Sequence, residues 1–195
     1  MSGERLPIFE NFIADLRAVW AAEPDTQRRM EKAKPLLERL VRDEGLRAHS
    51  ANWPSTEGYK NLLLYEDPEH DFVVNAVVRH PGRTGSVHDH AHAWVLYGVL
   101  DGEEILERYE RIDDGSRPDY AEVRIASATR GTPGKVDLVA PFAIHAEQGG
   151  AARSVAVIVR SERLVGRVLQ HGYDPAKHSV VERSGPTQVP FDLVP

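Results

Sequence analysis

The feature that most constrains the fold of this chain is a series of short apolar segments, separated by turn-forming dipeptides, that begins at Tyr59. Strands of this length between tight turns are typical of β-sandwiches and β-barrels, whereas βαβ units need a helix between strands. Among the turns, Asp101-Gly102 is the sharpest and predicts a type I′ hairpin between two consecutive strands. The sequence therefore predicts an all-β barrel. Its candidate strands occupy residues 61–65, 72–78, 87–100, 104–109, 120–126, 136–139 and 154–160.

The residues before this series have the periodicity of helices. Apolar side chains in residues 8–20 recur at three- and four-residue steps and form one stripe. Pro7 suits the first turn of that helix, where a missing N–H costs nothing. Asp25 is a suitable N-cap for a second helix. We expect Pro35 to break or kink this second helix and Gly45 to end it.

The chain of 195 residues has the length of one ordinary domain. We therefore expect a single domain over residues 1–195, with helices in 1–50, the barrel in 58–165 and a C-terminal strap in 166–195. The tail after His171 contains four prolines and no evident strand pattern. We expect it to cross the surface as an irregular segment.

Composition and charge exclude several classes of function. The absence of cysteine removes disulfide frameworks, thiolate zinc sites and cysteine nucleophiles. A net charge of -6 argues against nucleic-acid binding, which requires a basic face. The longest apolar run, residues 94–100, is too short to span a membrane, and the first residues lack the apolar stretch of a signal peptide. We expect a cytoplasmic monomer or homodimer that binds neither nucleic acid nor membrane.

Three of the nine histidines fall in one short segment, His88-Asp89-His90-Ala91-His92. In a strand, alternate side chains share a face, so the three imidazoles would project together and Asp89 would point away. Imidazoles at this spacing can converge on one metal ion. His145, at the start of a late strand after a proline turn, is the best candidate for a further ligand. The alternative is that these are hydrogen-bonded histidines of a polar strand face.

The surroundings favour the metal-binding interpretation. Gly82 precedes His88 by six positions, and Gly102 follows the next strand, which is the spacing of the first cupin motif. His145 stands where the second cupin motif places its last ligand. Residues 82–109, GRTGSVHDHAHAWVLYGVLDGEEILERY, resemble the metal-binding segment of the cysteine dioxygenase-type thiol dioxygenases and related predicted metal-dependent double-stranded β-helix enzymes. Residues 58–62 are similar to the strand that carries that family's substrate-carboxylate contact.

This resemblance implies a cupin fold, a double-stranded β-helix or jelly-roll barrel with an N-terminal helical segment. It also implies Fe(II) held by His88, His90 and His145, although nickel, zinc or manganese could occupy the site in purified protein. The implied activity is oxidation of a small anionic substrate by O2, as in cysteine and 3-mercaptopropionate dioxygenases. Two other classes stay open: a non-oxidative isomerase or lyase, and a non-catalytic metal-binding sensor of small molecules.

Several positions depart from that family. Trp94 and Val95 stand where most cupins carry a ligand glutamate, a loss the thiol dioxygenases share, and a cysteine–tyrosine crosslink at Val95 cannot form. The family's Ser-x-His-x-Tyr triad aligns with Ala156, Ile158 and Arg160, so the triad is absent and the catalytic residues are unknown.

Four positions are candidates for contact with the substrate: Lys60, His92, Trp94 and Arg160. The family's carboxylate-binding arginine corresponds to Lys60, which keeps the positive charge but cannot form the two parallel hydrogen bonds of a guanidinium group. Arg160 could enter the barrel beside the ligands and share anion capture with Lys60, or pair with a surface acid at the rim. His92 could face the substrate, support the ligands or act as a ligand itself, and it could equally be a hydrogen-bonded barrel histidine. Trp94 is a candidate substrate platform or, alternatively, a core residue.

Overall fold

The structure is a computed structural model that describes residues 5–163 and 166–195. Within these ranges the chain begins with three helices and continues with twelve strands. The helices are α1 (Pro7–Ala22), α2 (Thr26–Leu40) and α3 (Glu44–Ser50). The strands are β1 (Lys60–Glu66), β2 (Val73–Arg79), β3 (Val87–His88), β4 (Val95–Asp101), β5 (Glu104–Arg111), β6 (Val123–Gly131), β7 (Val136–Val139), β8 (His145–Gly149), β9 (Ser154–Arg160), β10 (Leu169–Asp174), β11 (Ser179–Ser184) and β12 (Thr187–Pro190).

The strands form two six-stranded sheets. The first, which we call the helix-backed sheet, has the order β12-β1-β2-β9-β4-β7, and the second, the open sheet, has the order β11-β10-β3-β8-β5-β6. Neighbouring strands are antiparallel except for β1 and β12, which are parallel. Strands consecutive in the chain repeatedly alternate between the two sheets, which is the arrangement of the predicted double-stranded β-helix. The all-β cupin fold class is confirmed.

The main hydrophobic core lies between the helices and the helix-backed sheet. Along β9, Val155, Val157 and Val159 pack into this core, whereas Ala156 and Ile158 belong to a smaller cluster inside the barrel. Because successive side chains of a strand point to opposite faces, β9 is buried on both sides along its whole length.

The helices follow the sequence predictions at their beginnings. Pro7 occupies the first turn of α1, and the Asp25 side chain accepts a hydrogen bond from the backbone N–H of Arg28 at the start of α2. The predictions for Pro35 and Gly45 were wrong in part. Pro35 lies on the exposed side of α2 without ending it, because water can solvate the carbonyl that loses its partner. The second helix ends at Leu40, and Gly45 lies inside α3.

No helix in the described part of the chain is long and apolar enough to cross a membrane.

The Asp101-Gly102 turn is a corner between sheets, so the prediction of a type I′ hairpin was wrong. β4 belongs to the helix-backed sheet and β5 to the open sheet. Of the two turn residues only Gly102 has a positive φ, of 71°, whereas a type I′ turn needs two. A Cβ on Gly102 would lie 2.3 Å from the Arg153 carbonyl oxygen, so the close approach of the backbone also requires glycine.

The C-terminal segment is ordered into strands and corrects the expectation of an irregular strap. β10 and β11 form an antiparallel hairpin at the edge of the open sheet, and β12 extends the helix-backed sheet beside β1. Of these strands, β11 and β12 lie at sheet edges and many of their side chains are exposed, so they lack the apolar runs of the central strands. Pro190 is tolerated in β12 because an edge strand has unpaired backbone positions.

Candidate metal centre and its cavity

The structure brings His88, His90 and His145 together inside the barrel. His88 ends β3 and pairs directly with His145, the first residue of the antiparallel strand β8. The ring centroids lie 4.3 to 4.8 Å apart, and one ring nitrogen from each lies within 4.8 Å of the other two. Three imidazoles at this spacing could hold one metal ion, as the sequence predicts.

The predicted strand over 87–100 is interrupted immediately after the ligands. β3 ends at His88, β4 begins at Val95, and Ala91 between them has a positive φ of 47°. Asp89 points away from the three imidazoles, as alternation predicts, but the turn at Ala91 reverses the pattern for the next residues. Because of this break, two histidines of the segment, His88 and His90, lie in the three-histidine group, whereas His92 does not.

Neither His92 nor Trp94 is among the residues that line the cavity beside the histidines, so the structure does not bring these two predicted substrate contacts to it. The His92 side chain is 59% exposed, and its Nε2 lies 3.2 Å from a Glu162 carboxylate oxygen. Trp94 packs against the core between the helices and the sheet, on the opposite side from the ligands. Both outcomes follow from the turn at Ala91, which strict strand alternation does not anticipate.

The hydrogen bonds of two of the three imidazoles leave one nitrogen available. Nδ1 of His88 lies 2.9 Å from the Ser86 carbonyl oxygen, and Nδ1 of His145 lies 2.8 Å from that of Ala143. A ring that donates from Nδ1 carries its lone pair on Nε2. The Nε2 of His145 is buried and has no hydrogen-bond partner, although a Glu147 oxygen lies 3.4 Å away. An orphaned buried nitrogen that faces two other imidazoles fits a metal ligand.

His90 is held differently, by residues from two other strands. Its Nδ1 contacts the side-chain amide of Gln170 on β10, and lies 3.4 Å from Nη1 of Arg160 on β9. Gln170 is fully buried, and the sequence analysis missed it because it falls in the segment expected to be irregular. Its only sequence signal is a polar residue within an otherwise alternating stretch.

Burial keeps the three imidazoles neutral. Desolvation lowers the pKa of His88 to about 3, with a further contribution from the neighbouring His145. Desolvation also lowers the pKa of His145 to about 4, and that of His90 well below its usual value, helped by the Arg160 charge. Metal ligation requires the deprotonated imidazole, so these shifts prepare the site for a cation across the neutral pH range.

His88 and His90 open onto a cavity of about 460 Å³. Val77, Val95 and Ile158 supply part of its apolar wall, and Lys60 and Arg160 also line it. The cavity is therefore large enough for a small molecule next to the imidazoles.

Arg160 enters the barrel on the same side as the ligands, as strand parity along β9 predicts. Only 4% of its surface is exposed, and its Nε donates to Asn75 Oδ1 at 3.1 Å. No carboxylate forms an ion pair with it in the described parts of the chain. Burial lowers its pKa to about 10, which still leaves it charged at neutral pH. A buried guanidinium without an acid is costly unless an anion completes its surroundings.

Lys60 lies at the outer part of the same cavity. It is the first residue of β1, its side chain is exposed, and within the described residues it forms no ion pair. The structure therefore places the two predicted anion-binding residues in one cavity, with Arg160 beside the histidines and Lys60 near solvent.

Arg79, which also lines the cavity, is neutralised by a network that the sequence analysis did not identify. Arg79 Nη1 donates to Glu104 at 3.1 Å, and Tyr97 donates to the same carboxylate at 2.6 Å. Arg79 Nη2 also lies 3.5 Å from Glu147, which is two residues after His145 on β8. Tyr97 lines the cavity, but its hydroxyl is already bound, and burial raises its pKa well above its usual value.

A second buried network fixes the loop that carries His88 and His90. The Asp89 carboxylate accepts hydrogen bonds from the backbone N–H groups of Ala91 and His171 at 3.0 Å, and from Tyr173 at 2.9 Å. The ring of His171 also contacts it, at 3.0 Å. Asp89 thus ties the histidine segment to β10 and orients the ligands without touching them.

No protein-family model matches the chain, and no curated protein sequence matches it. Among solved structures, it is similar to an uncharacterized conserved protein with a double-stranded β-helix domain from Klebsiella pneumoniae, at 19% identity over 63% of this chain and 85% of the other, with a TM-score of 0.43. It is similar to KdgF from Halomonas sp. at 18% identity over 57% and 88%, with a TM-score of 0.44. It is also similar to recombinant oxalate oxidase in complex with glycolate, at 18% identity over 47% of this chain and 42% of the other, with a TM-score of 0.38.

The match thus spans less than half of the oxalate oxidase chain, and only 51% of peruvianin-I, a cysteine peptidase from Thevetia peruviana latex that also matches. At these identities the likeness concerns the fold alone. The chain itself has two six-stranded sheets and a three-histidine group that could hold a metal.

Proposed function

We propose that this protein is a metal-dependent oxygenase that uses O2 to oxidise a small anionic substrate. One observation carries the proposal: the buried Arg160 guanidinium, which has no carboxylate partner among the described residues, lies 3.4 Å from His90, one of the three clustered neutral imidazoles. An anion that binds Arg160 would therefore lie beside an ion held by His88, His90 and His145.

The donor set is compatible with iron(II), the metal that the proposed reaction with O2 requires. Three neutral nitrogen ligands suit iron, nickel, copper or zinc, and leave the full charge of the ion available to an anionic substrate. Of six coordination positions only about half would be filled by these side chains, which leaves room for substrate and O2. When bound, iron(II) would supply the activation of O2, which no side chain can perform.

The resemblance to thiol dioxygenases suggests the reaction. A thiol would take up both atoms of O2 and become a sulfinate, so that sulfur is oxidised by four electrons and O2 is reduced by four. Arg160 would hold the acid group of the substrate, and Lys60 would attract it from solvent. Val77, Val95 and Ile158 would exclude water from the reacting sulfur.

Free cysteine is a poor candidate for the substrate. The residues at the family's triad positions on β9 are Ala156, Ile158 and Arg160, so the tyrosine that would lie beside the metal is absent. Among the side chains that line the described cavity, Tyr97 is already bound to Glu104 and Arg79. We therefore expect mercapto-acids with a more distant acid group to be preferred over cysteine.

The test has two stages. Elemental analysis of purified protein should find a transition metal, about one per chain, and an oxygen electrode should then detect O2 uptake with mercapto-acids. Arg160→Met should raise KM for the same substrates while the metal content is unchanged. A metal-replete protein that consumes no O2 with any thiol acid would contradict the proposal, and so would a preference for cysteine that Arg160→Met leaves unchanged.

Glu147 supports a second candidate, a non-oxidative isomerase or lyase. Among the described residues that line the cavity it is the only acid, and its carboxylate lies 3.4 Å from His145 Nε2. At this position it could accept a proton from a substrate that a metal polarises. Turnover of a small acid under strictly anaerobic conditions would favour this function. Binding without turnover in either atmosphere would favour a sensor.

A further inference from the structure

Arg183 also lines the cavity, and the neighbouring strand leaves space for its side chain. Arg183 lies on β11, and its side chain crosses Gly172 on β10. A Cβ on Gly172 would lie 2.9 Å from the Cζ of Arg183 and 3.0 Å from its Nε. Any larger residue at 172 would therefore displace the guanidinium, so this glycine allows Arg183 to reach the cavity.

Two contacts hold Arg183, and part of its hydrogen-bonding capacity is unused. Its Nη2 donates to Ser86 Oγ at 2.9 Å, and its Cζ lies 5.0 Å from the centre of the Tyr59 ring. Its Nε is buried and has no hydrogen-bond partner. No acid forms an ion pair with Arg183 in residues 5–163 and 166–195. A buried N–H donor without an acceptor costs free energy, which a bound anion would recover.

The two guanidinium groups without an acid partner among the described residues contact different parts of the histidine segment. Arg160 contacts His90, whereas Arg183 contacts Ser86, whose carbonyl oxygen binds the Nδ1 of His88. Both arginines line the cavity, together with Lys60. Arg79, which also lines it, is neutralised by Glu104. The cavity therefore has more positive charge than one carboxylate would balance.

We propose that Arg183 is a second anion-binding residue and that the site takes a small molecule with two acid groups, one held by Arg160 and the other by Arg183. The inference rests on the proposed function and specifies its substrate as a dicarboxylate, such as a mercapto-dicarboxylic acid. Lys60 attracts the dianion at the cavity entrance. A monocarboxylate leaves one guanidinium unpaired and binds more weakly.

Calorimetric titration of the purified protein, with its metal content measured, tests this proposal with succinate and glutarate against butyrate as probes. The wild type should bind the better dicarboxylate at least about tenfold more tightly than butyrate, the gain expected from one additional charged hydrogen-bonded contact. Arg183→Gln should reduce this ratio to nearly one. Gly172→Ala should reduce it similarly, because it displaces the guanidinium and keeps the charge. Arg124→Gln, an exposed arginine paired with Glu110 on the outer strands, is the matched control and should keep the ratio.

Metal-depleted protein should show the same preference, which separates arginine binding from chelation of the ion by the dicarboxylate. Equal affinity for all three acids in the wild type, or a dicarboxylate preference that survives both Arg183→Gln and Gly172→Ala, would overturn the assignment. If Gly172→Ala loses its metal or unfolds, Arg183→Lys, which keeps the charge without the fork, replaces it and should retain only part of the preference. Failure of the proposed oxygenase function would appear separately, as missing metal or missing O2 uptake with dicarboxylate preference intact.

Discussion

The two sheets of the barrel are built from different kinds of strand. In the helix-backed sheet, β2, β4 and β9 are buried almost throughout, because helices cover one face and the barrel interior the other. In the open sheet, β6 and β11 are largely exposed, and the buried positions are concentrated near the metal centre. His88 and His145 lie in the open sheet, whereas Arg160 and Lys60 lie in the helix-backed sheet.

This difference separates the residues that stabilise the protein from those that would bind the metal. The large apolar core depends on one sheet and the three helices, while the strands that carry His88 and His145 contribute a smaller cluster. Changes in the two sheets should therefore affect different properties, and the following predictions test how complete the separation is.

The largest effect is expected at the metal ligands. Replacing His88, His90 or His145 by alanine leaves two neutral imidazoles, too few to compete with water and buffer for the ion. Metal content after dialysis, measured by elemental analysis, should fall to less than about a tenth of the wild-type value. His92→Ala is the control, since its side chain is exposed and should leave the metal in place. Full metal content in the His145 variant would mean that the third ligand is elsewhere.

The next effect concerns stability. Leu96 on β4 is fully buried between the sheet and the helices, so Leu96→Ala should lower the free energy of unfolding by about 2–5 kcal/mol. Ile125 on β6 is 54% exposed, and Ile125→Ala should change the free energy of unfolding by no more than about 0.5 kcal/mol. Urea unfolding of both variants measures the contrast. Similar losses at the two positions would show that the open sheet stabilises the fold as strongly as the helix-backed sheet.

The stability of the metal-free protein should depend on pH through two histidines of the open sheet, His88 and His145. The pKa values of His88 and His145 are about 3 and about 4 in the folded protein and near 6.5 in an unfolded chain, so the unfolded chain binds more protons at acid pH. The stability of metal-free protein is therefore fully present above pH 6.5 and decreases as the pH falls, by up to about 2 kcal/mol per histidine at pH 5. Thermal unfolding between pH 5 and 8 measures this decrease. The His88→Ala variant should show a smaller decrease in stability with falling pH. An unchanged dependence on pH would contradict its assignment to His88.

The smallest effect is expected at Lys60, in the helix-backed sheet. Lys60→Met removes an attraction at the exposed end of the cavity, whereas Lys60→Glu adds repulsion of an anionic substrate. KM for a substrate acid should rise a few-fold in the first variant and clearly more in the second, with kcat nearly unchanged in both. Identical kinetics in all three proteins would show that Lys60 takes no part in capture.

The sequence predicted the central strands and the convergence of the three histidines better than the periphery. β1, β2, β5, β7 and β9 lie where apolar runs and turns predicted them. The convergence of His88, His90 and His145 followed from alternation in a strand and from the cupin spacing. The position of Arg160 followed from parity along a strand whose bounds were predicted correctly.

The errors have one physical origin, which is tertiary context. Alternation placed His92 with the ligands, but a single residue of positive φ at Ala91 directs it to solvent. The Asp101-Gly102 corner has the dipeptide of a hairpin turn. Only the assignment of β4 and β5 to different sheets distinguishes such a corner from a hairpin. Gln170 and Arg183 lie in polar strands, β10 and β11, and β10 pairs with β3 far away in the sequence, so no local pattern identifies them.

The pairing of β3 with β10 has a consequence for how the protein folds. His88 pairs with Gly172, and His90 contacts Gln170, which is 80 residues later in the chain. Contacts of such long sequence separation form slowly, because the loop between them must close first. During synthesis the histidine segment leaves the ribosome long before the strand that orients it, whereas α1 and α2 already have each other to pack against. The metal centre should therefore be among the last parts of the molecule to become native, and its ion should enter an almost finished barrel.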